Sequence, residues 1–283
     1  MPEKMPRTDL AVEAHRVQSG AGSLEGAEVR ETEERGFRVT TVEIRSPAAS
    51  KELCKPIGVY HTVTLEPVLR REDAAFASAA SLLSALVRDL LPLGASDPVL
   101  AVGLGNRAVT PDAVGPRAAD SVLATRHLQG QMPENVPILR PVSVLAPGVL
   151  GATGIESAQM VAALQGPLSP AAVIAVDALA CSEPERLCRT IQISDTGIIP
   201  GSGVGNAREA LNRASLGVPV IAVGIPTVMD IRTVSEEESL DGLFVTPRDI
   251  DTVVSDFSKL AAYAINLALH PSLSIPDLDM LLS

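Results

Sequence analysis

Residues 98–105, PVLAVGLG, form an apolar run that ends in a glycine turn, and three similar runs follow: PVSVLAP (141–147), AAVIAVDAL (171–179) and VPVIAVGIP (218–226). None has a polar face, which is the pattern of strands covered on both sides, as in a parallel sheet. Helical text lies between them, at about 115–127, 155–164 and 207–215. The alternation predicts an α/β fold with a mostly parallel central sheet flanked by helices.

Working upstream, GFRVTTVEIRSP (36–47) and IGVYHTVTLEP (57–67) alternate apolar and polar residues and each closes on a proline, as early strands do. REDAAFASAASLLSALVRDLL (71–91) carries acids first and apolar residues at helical spacing. Downstream, DIDTVVSDFSKLAAYAINLALH (249–270) is a second amphipathic helix, long enough to cover the sheet. Residues 1–35 are rich in Glu, Arg, Gly and Ser and read as a peripheral region. Residues 36–283 contain no repeat and no linker, so they are expected to form a single domain.

Composition narrows the function. A net charge of -11 opposes a face that neutralises phosphates, so no direct nucleic-acid partner is expected. With 2% aromatic residues and no Trp, stacking platforms for bases are scarce and the core must be aliphatic. Cys54, Cys181 and Cys188 form no CxxC pair and leave one unpaired, which suits a reducing compartment. No metal or cofactor is expected, because soft ligands at matching spacings are too few and His15, His61, His127 and His270 are scattered. The N-terminal MPEKMPRTDL has no apolar core and no run reaches the ~18 to 20 apolar residues of a membrane span, so a cytoplasmic protein without a membrane partner is expected.

In open α/β sheets reactants meet beyond the carboxyl ends of the strands. Asp112, in VTPDAVGP (109–116), follows one apolar run, and Asp177 closes another. The GLGN turn, with Gly105 and Asn106, lets main chain approach closely, and the prolines stiffen the loop that carries Asp112. Burial would raise the pKa of Asp177, and a second carboxylate nearby would raise one pKa of the pair further. Two such acids can share a proton and hydrolyse a substrate by acid/base chemistry without a nucleophilic side chain. The competing reading is that each Asp caps a helix or turn. Glu156, in the first turn after APGVLGATG, is either an ordinary cap or a residue lining the site. Ser202 lies in a GSG turn, outside any nucleophile elbow.

PGSGVGNAREAL (200–211) runs from glycine loop toward helix and invites a nucleotide- or phosphate-binding reading. It lacks the spacing of a dinucleotide fingerprint and the Gly-Lys-Ser/Thr of a phosphate loop. A catalytically silent scaffold of the same fold is the third reading.

Five blocks, VGLGNRAVTPDAVGPRAADSVLATRHL (102–128), APGVLGATGIES (146–157), VIAVDALA (173–180), IQISDTGIIPGSGVGNAREALN (191–212) and VPVIAVGIPTVMD (218–230), closely resemble the germination proteases of spore-forming bacteria. The resemblance runs from about Arg7 to His270. It implies an atypical aspartic endopeptidase, similar in fold to hydrogenase maturation peptidases, that degrades small acid-soluble spore proteins in the spore core at germination. The family's two aspartates fall on Asp112 and Asp177. The resemblance also implies a zymogen: residues 1–35 would include a pro-segment, and RTDLAVEAH (7–15) resembles the self-processing site, cut between Asp9 and Leu10. An acid before the cut matches the family's preference, and a homotetramer is implied. The hydrogenase maturation peptidases hold a metal at corresponding acids plus a histidine, and no matching histidine can be placed here, which leaves a metal mechanism as a minor alternative. Many relatives carry several dozen more residues between the blocks corresponding to IPTVMD (225–230) and LFVTPRDID (243–251), where this chain has about a dozen. An oligomer contact built by those extra residues would be missing from this chain, whereas both aspartates are spared.

Overall fold

The four apolar runs pair side by side in the computed structural model, which describes residues 8–19, 24–131, 139–235, 240 and 242–282. The strands are β1 (Ala27–Glu34), β2 (Phe37–Ile44), β3 (Gly58–Thr64), β4 (Val99–Gly103), β5 (Val142–Leu145), β6 (Ala172–Cys181), β7 (Thr190–Ser194), β8 (Val220–Asp230) and β9 (Phe244–Val245). They form one sheet in the order β1-β2-β3-β7-β8-β6-β4-β5, with β9 pairing on β8. The apolar runs make its parallel part, β8-β6-β4-β5.

The remaining pairings, β1·β2, β2·β3, β3·β7, β7·β8 and β8·β9, are antiparallel. The sheet is therefore mixed, and the expectation of a mostly parallel one is corrected. The physical reason is that β1, β2 and β3 form an antiparallel meander, joined first by a tight turn through Arg35 and Gly36 at φ 53° and 82° and then through the short helix Pro47–Leu53. Between that meander and the parallel part lies β7, whose five residues gave no strand signal of their own. β1 comes from the segment read as peripheral; it is an edge strand exposed over most of its length.

Both faces of the sheet are covered. On one, the helices Ala75–Leu90 and Ile250–Leu269 bury Leu82, Leu83, Phe257 and Leu260 against Val99, Ile174 and Ile191. On the other, the helix Ser157–Leu168 packs Val161 against Leu100, Val173 and Val220. A third cluster joins Leu10, Val12 and Ala14 to Val42, Ile44, Leu53 and Leu179, so the start of the N-terminal helix Ala11–Ser19 is core. The expected helix at about 115–127 covers Val114–Asp120, followed by a 3-10 turn at Arg126–Leu128. Of the one expected at about 207–215 only Arg213–Leu216 is helical. Among the described residues no helix is long and apolar enough to cross a membrane.

One mismatch in strand length positions the site. β4 pairs with β6 as far as Gly103 opposite Val176, and the Leu104 N–H still donates to the Val176 carbonyl at 2.8 Å. From Asp177 onward β6 keeps β8 on one side and has outrun β4 on the other. Between Leu179 and Ala180 the register then shifts, the extra residue, Thr227, lying on β8.

Candidate active site

Asp112 ends the 3-10 turn Thr110–Asp112 and is half-buried. Three contacts fix its loop. The Asn106 N–H donates to Asp112 Oδ2 at 2.8 Å, the Asp112 N–H donates to the Val109 carbonyl at 2.8 Å, and Thr227 Oγ1 on β8 donates to the Pro111 carbonyl at 2.8 Å. Gly105 is required for the approach: its φ is +115°, and a methyl group there would overlap the Asp112 carbonyl. Asp177 projects from β6 and is 4% exposed, with its Oδ1 accepting from the Ala178 N–H at 2.9 Å.

Burial pushes Asp177 well above the ordinary carboxylate range; the Asp112 charge adds to the rise, the Ala178 N–H opposes it, and Asp9 adds to it again. Asp112 is raised as well, by burial against the Asn106 hydrogen bond. The Asp112 charge thus acts on Asp177, and two acids so placed can hold one proton between them, a property that belongs to the pair. Each carboxylate accepts from a main-chain N–H, as the reading of a turn cap expects, and both also line one cavity.

That cavity, of about 590 Å³, is lined by Gly105, Asn106, Asp112, Glu156, Asp177 and Asp9, among others. Glu156 stands one residue ahead of the helix Ser157–Leu168, caps nothing with its side chain, and lies 4.0 Å from the Arg208 guanidinium. No histidine lines the cavity. Among the described residues no group of three or more His, Cys, Asp and Glu side chains converges as a metal site.

The N-terminal segment enters this site. The Asp9 N–H donates to the Ala180 carbonyl at 2.9 Å, and the Ala180 N–H donates to Asp9 Oδ2 at 2.8 Å, on the edge of β6 that β4 no longer covers. Ser202 Oγ donates to Asp9 Oδ1 at 2.6 Å. Gln192 on β7 accepts from the Ala11 N–H at 2.8 Å and donates to the Asp9 carbonyl at 3.2 Å, so one side chain spans the Asp9–Leu10 bond. Leu10 is fully buried. Behind it the buried Glu13 carboxylate accepts from the Ser182 N–H at 2.7 Å, Ser182 Oγ at 2.8 Å, the Glu183 N–H at 3.0 Å and Thr8 Oγ1. Arg7, at the head of the same motif, lies outside the described residues.

Ser202 therefore reaches the site through Asp9. Its glycine turn is a 3-10 segment, Ser202–Val204, with no helix directly after it at which a phosphate would sit, so this loop does not carry the nucleotide reading. Sequence reasoning missed Ala180, Gly203, Gln192, Thr227 and Glu13. Ala180 acts through its main chain and Gly203 through lacking a side chain, so neither leaves a chemical signal in the sequence.

The family model described as germination protease matches residues 6–241. The germination protease of Clostridium tetani is 36% identical over 98% of this chain and 99% of its own length. That of Caldanaerobacter subterraneus is 37% identical over 98% of each. The Bacillus cereus protein is 44% identical over 82% of this chain and 65% of its own length. The Clostridium tetani alignment runs to 320 positions against the 283 residues here, so that relative carries residues this chain lacks.

Proposed function

The chain belongs to the germination protease family, and on that premise we propose that it is a self-processing aspartic-type endopeptidase in which Asp112 and Asp177 share the catalytic proton. The observation that carries this reading is that Asp9, Asp112 and Asp177 line one cavity while the Asp9–Leu10 junction lies along the free edge of β6. The acid the family prefers before the cut is thus presented to the acids that would cut.

In the proposed reaction Asp112, the less strongly perturbed acid, is ionised and takes a proton from water as the water oxygen attacks the peptide carbonyl carbon. Asp177, held neutral by burial, hydrogen-bonds the substrate and gives its proton to the leaving amine as the carbon–nitrogen bond breaks; Asp112 passes its proton back to reset the pair. The Gln192 amide steadies the carbonyl oxygen, on which negative charge develops. No metal is required in this scheme, and a chelator is expected to leave the rate unchanged.

The substrates proposed are small acid-soluble spore proteins, cut after an acidic residue in the spore core, with no nucleic acid or membrane as direct partner. The reading also carries likeness of the parallel part of the sheet to the hydrogenase maturation peptidases, and a homotetramer, which light scattering of the purified chain tests. Mass spectrometry of such a spore protein incubated with the chain, beside Asp112→Asn and Asp177→Asn, tests the whole. Cutting after an acid that both variants lose is the expected result. Cutting that persists in either variant moves the chemistry elsewhere, and no cutting by the folded parent favours the silent scaffold.

A further inference from the structure

The Asp9 side chain is gripped on three sides. Ser202 Oγ holds one carboxylate oxygen at 2.6 Å and the Ala180 N–H holds the other at 2.8 Å. Gly203 closes the third side: it is buried, and a methyl group on it would overlap Asp9 Oδ2 and the Ala180 side chain. The Lys55 ammonium, which donates to the Thr8 carbonyl at 2.9 Å, lies within electrostatic reach of Asp9. Asp9 and Gly203 line both the cavity of Asp112 and Asp177 and a second cavity of about 300 Å³ that holds Lys55, Gln192 and Ser202. The grip is therefore at the junction of two spaces through which an extended peptide can pass.

Building on the protease reading above, we propose that Ser202, Gly203 and the Ala180 N–H form the pocket that selects an acidic residue on the N-terminal side of the cut bond, and that Asp9 fills this pocket until the chain is cut. The chemistry matches a carboxylate. The pocket offers two donors, and a carboxylate is acceptor-only on both oxygens. An amide in its place can still meet the Ala180 N–H with its oxygen, but Ser202 Oγ must then turn to accept from the NH₂ group and its charge-assisted bond is lost; alanine loses both bonds. The grip on the main chain has no such preference, because the Asp9 N–H and the Ala180 carbonyl would pair for any residue. While Asp9 stays docked, no other acidic side chain can enter, so the uncut chain is closed to substrates by its own cleavage site.

The test is a double-mutant cycle on self-cutting of the full chain, followed by intact mass: parent, Asp9→Asn, Ser202→Ala and the two together. Each comparison is made within one background, so a general folding defect of Ser202→Ala cancels. Asp9→Asn is expected to slow cutting by about 10- to 100-fold in the parent and by only a few-fold beside Ser202→Ala, since a hydrogen bond to a charged group is worth about that much. An equal penalty in both backgrounds overturns the pocket while leaving the protease reading intact. A folded parent that never cuts its own Asp9–Leu10 bond overturns self-processing, and the pocket falls with it.

Discussion

Replacing Glu13 by alanine leaves Asp112 and Asp177 untouched but removes what holds the cleavage site against them. The Glu13 carboxylate is fully buried and accepts from Ser182 twice, from Glu183 and from Thr8. Hydrogen bonds to a charged acceptor contribute roughly 1.5–3 kcal/mol each, and the burial that raises the pKa of Glu13 offsets part of the sum. Counting two bonds at the lower end gives about 3 kcal/mol, or about two orders of magnitude in the docking equilibrium of the N-terminal segment. Self-cutting of Glu13→Ala is expected to slow by about 100-fold on that basis. The uncut variant is also expected to hydrolyse an added peptide bearing an acidic residue, which under the proposed mechanism the parent does only after losing its own N-terminal segment. Intact mass follows the first effect and a fluorogenic peptide the second, on the same samples, with circular dichroism confirming the fold. Self-cutting at the parent's rate would show that Glu13 does not anchor the segment. A folded variant that cuts neither itself nor the peptide would show that Asp9 is not what closes the site.

Asp177→Asn should abolish cutting and stabilise the fold. Its folded pKa is raised, chiefly by burial, so the native chain keeps a proton that the unfolded chain has lost, and stability falls as pH rises from the ordinary carboxylate range through the folded pKa. Calorimetry between about pH 4 and about pH 8 should show a Tm gain for the variant that grows with pH; a gain that shrinks would reverse the sign of the account. The rate of peptide cutting should be bell-shaped in pH, lost on the acid side as Asp112 takes up a proton and on the alkaline side as the shared proton leaves; a flat profile would argue against the pair. Gly105→Ala should lower Tm and kcat together, because a methyl group there displaces the Asp112 carbonyl and strains a φ of +115°, at a cost of about 1–3 kcal/mol. A variant with unchanged kcat would mean that the Asp112 loop tolerates the shift.

The parallel half of the sheet was legible because each strand is apolar on both faces, and the strand-end rule then located Asp112 and Asp177 together. The antiparallel half was less so. AEVRETEE of β1 is charged throughout because an edge strand with both faces in water has no inner face to mark, and this composition is also that of a loose tail. β7, TIQIS, is too short for periodicity to speak, and its Gln192 looks like any polar strand residue. The stretch at 207–215 carries good helix formers but no apolar stripe to bury, and only its last turn is helical. At the site, two side-chain carboxylates were visible as chemistry, whereas the grip on Asp9 comes from a main-chain N–H, a missing Cβ and a serine whose role depends on a residue 193 positions away.

In the proposed self-processing, the docking of Asp9 on the β6 edge of its own chain also decides the order of the reaction. A cleavage site held by its own polypeptide is cut at a rate that is first order in protein, because the local concentration of the bond is set by the fold. Dilution leaves the half-time unchanged, so the delay between synthesis and the competent form is a property written into each molecule and independent of how many copies a cell holds.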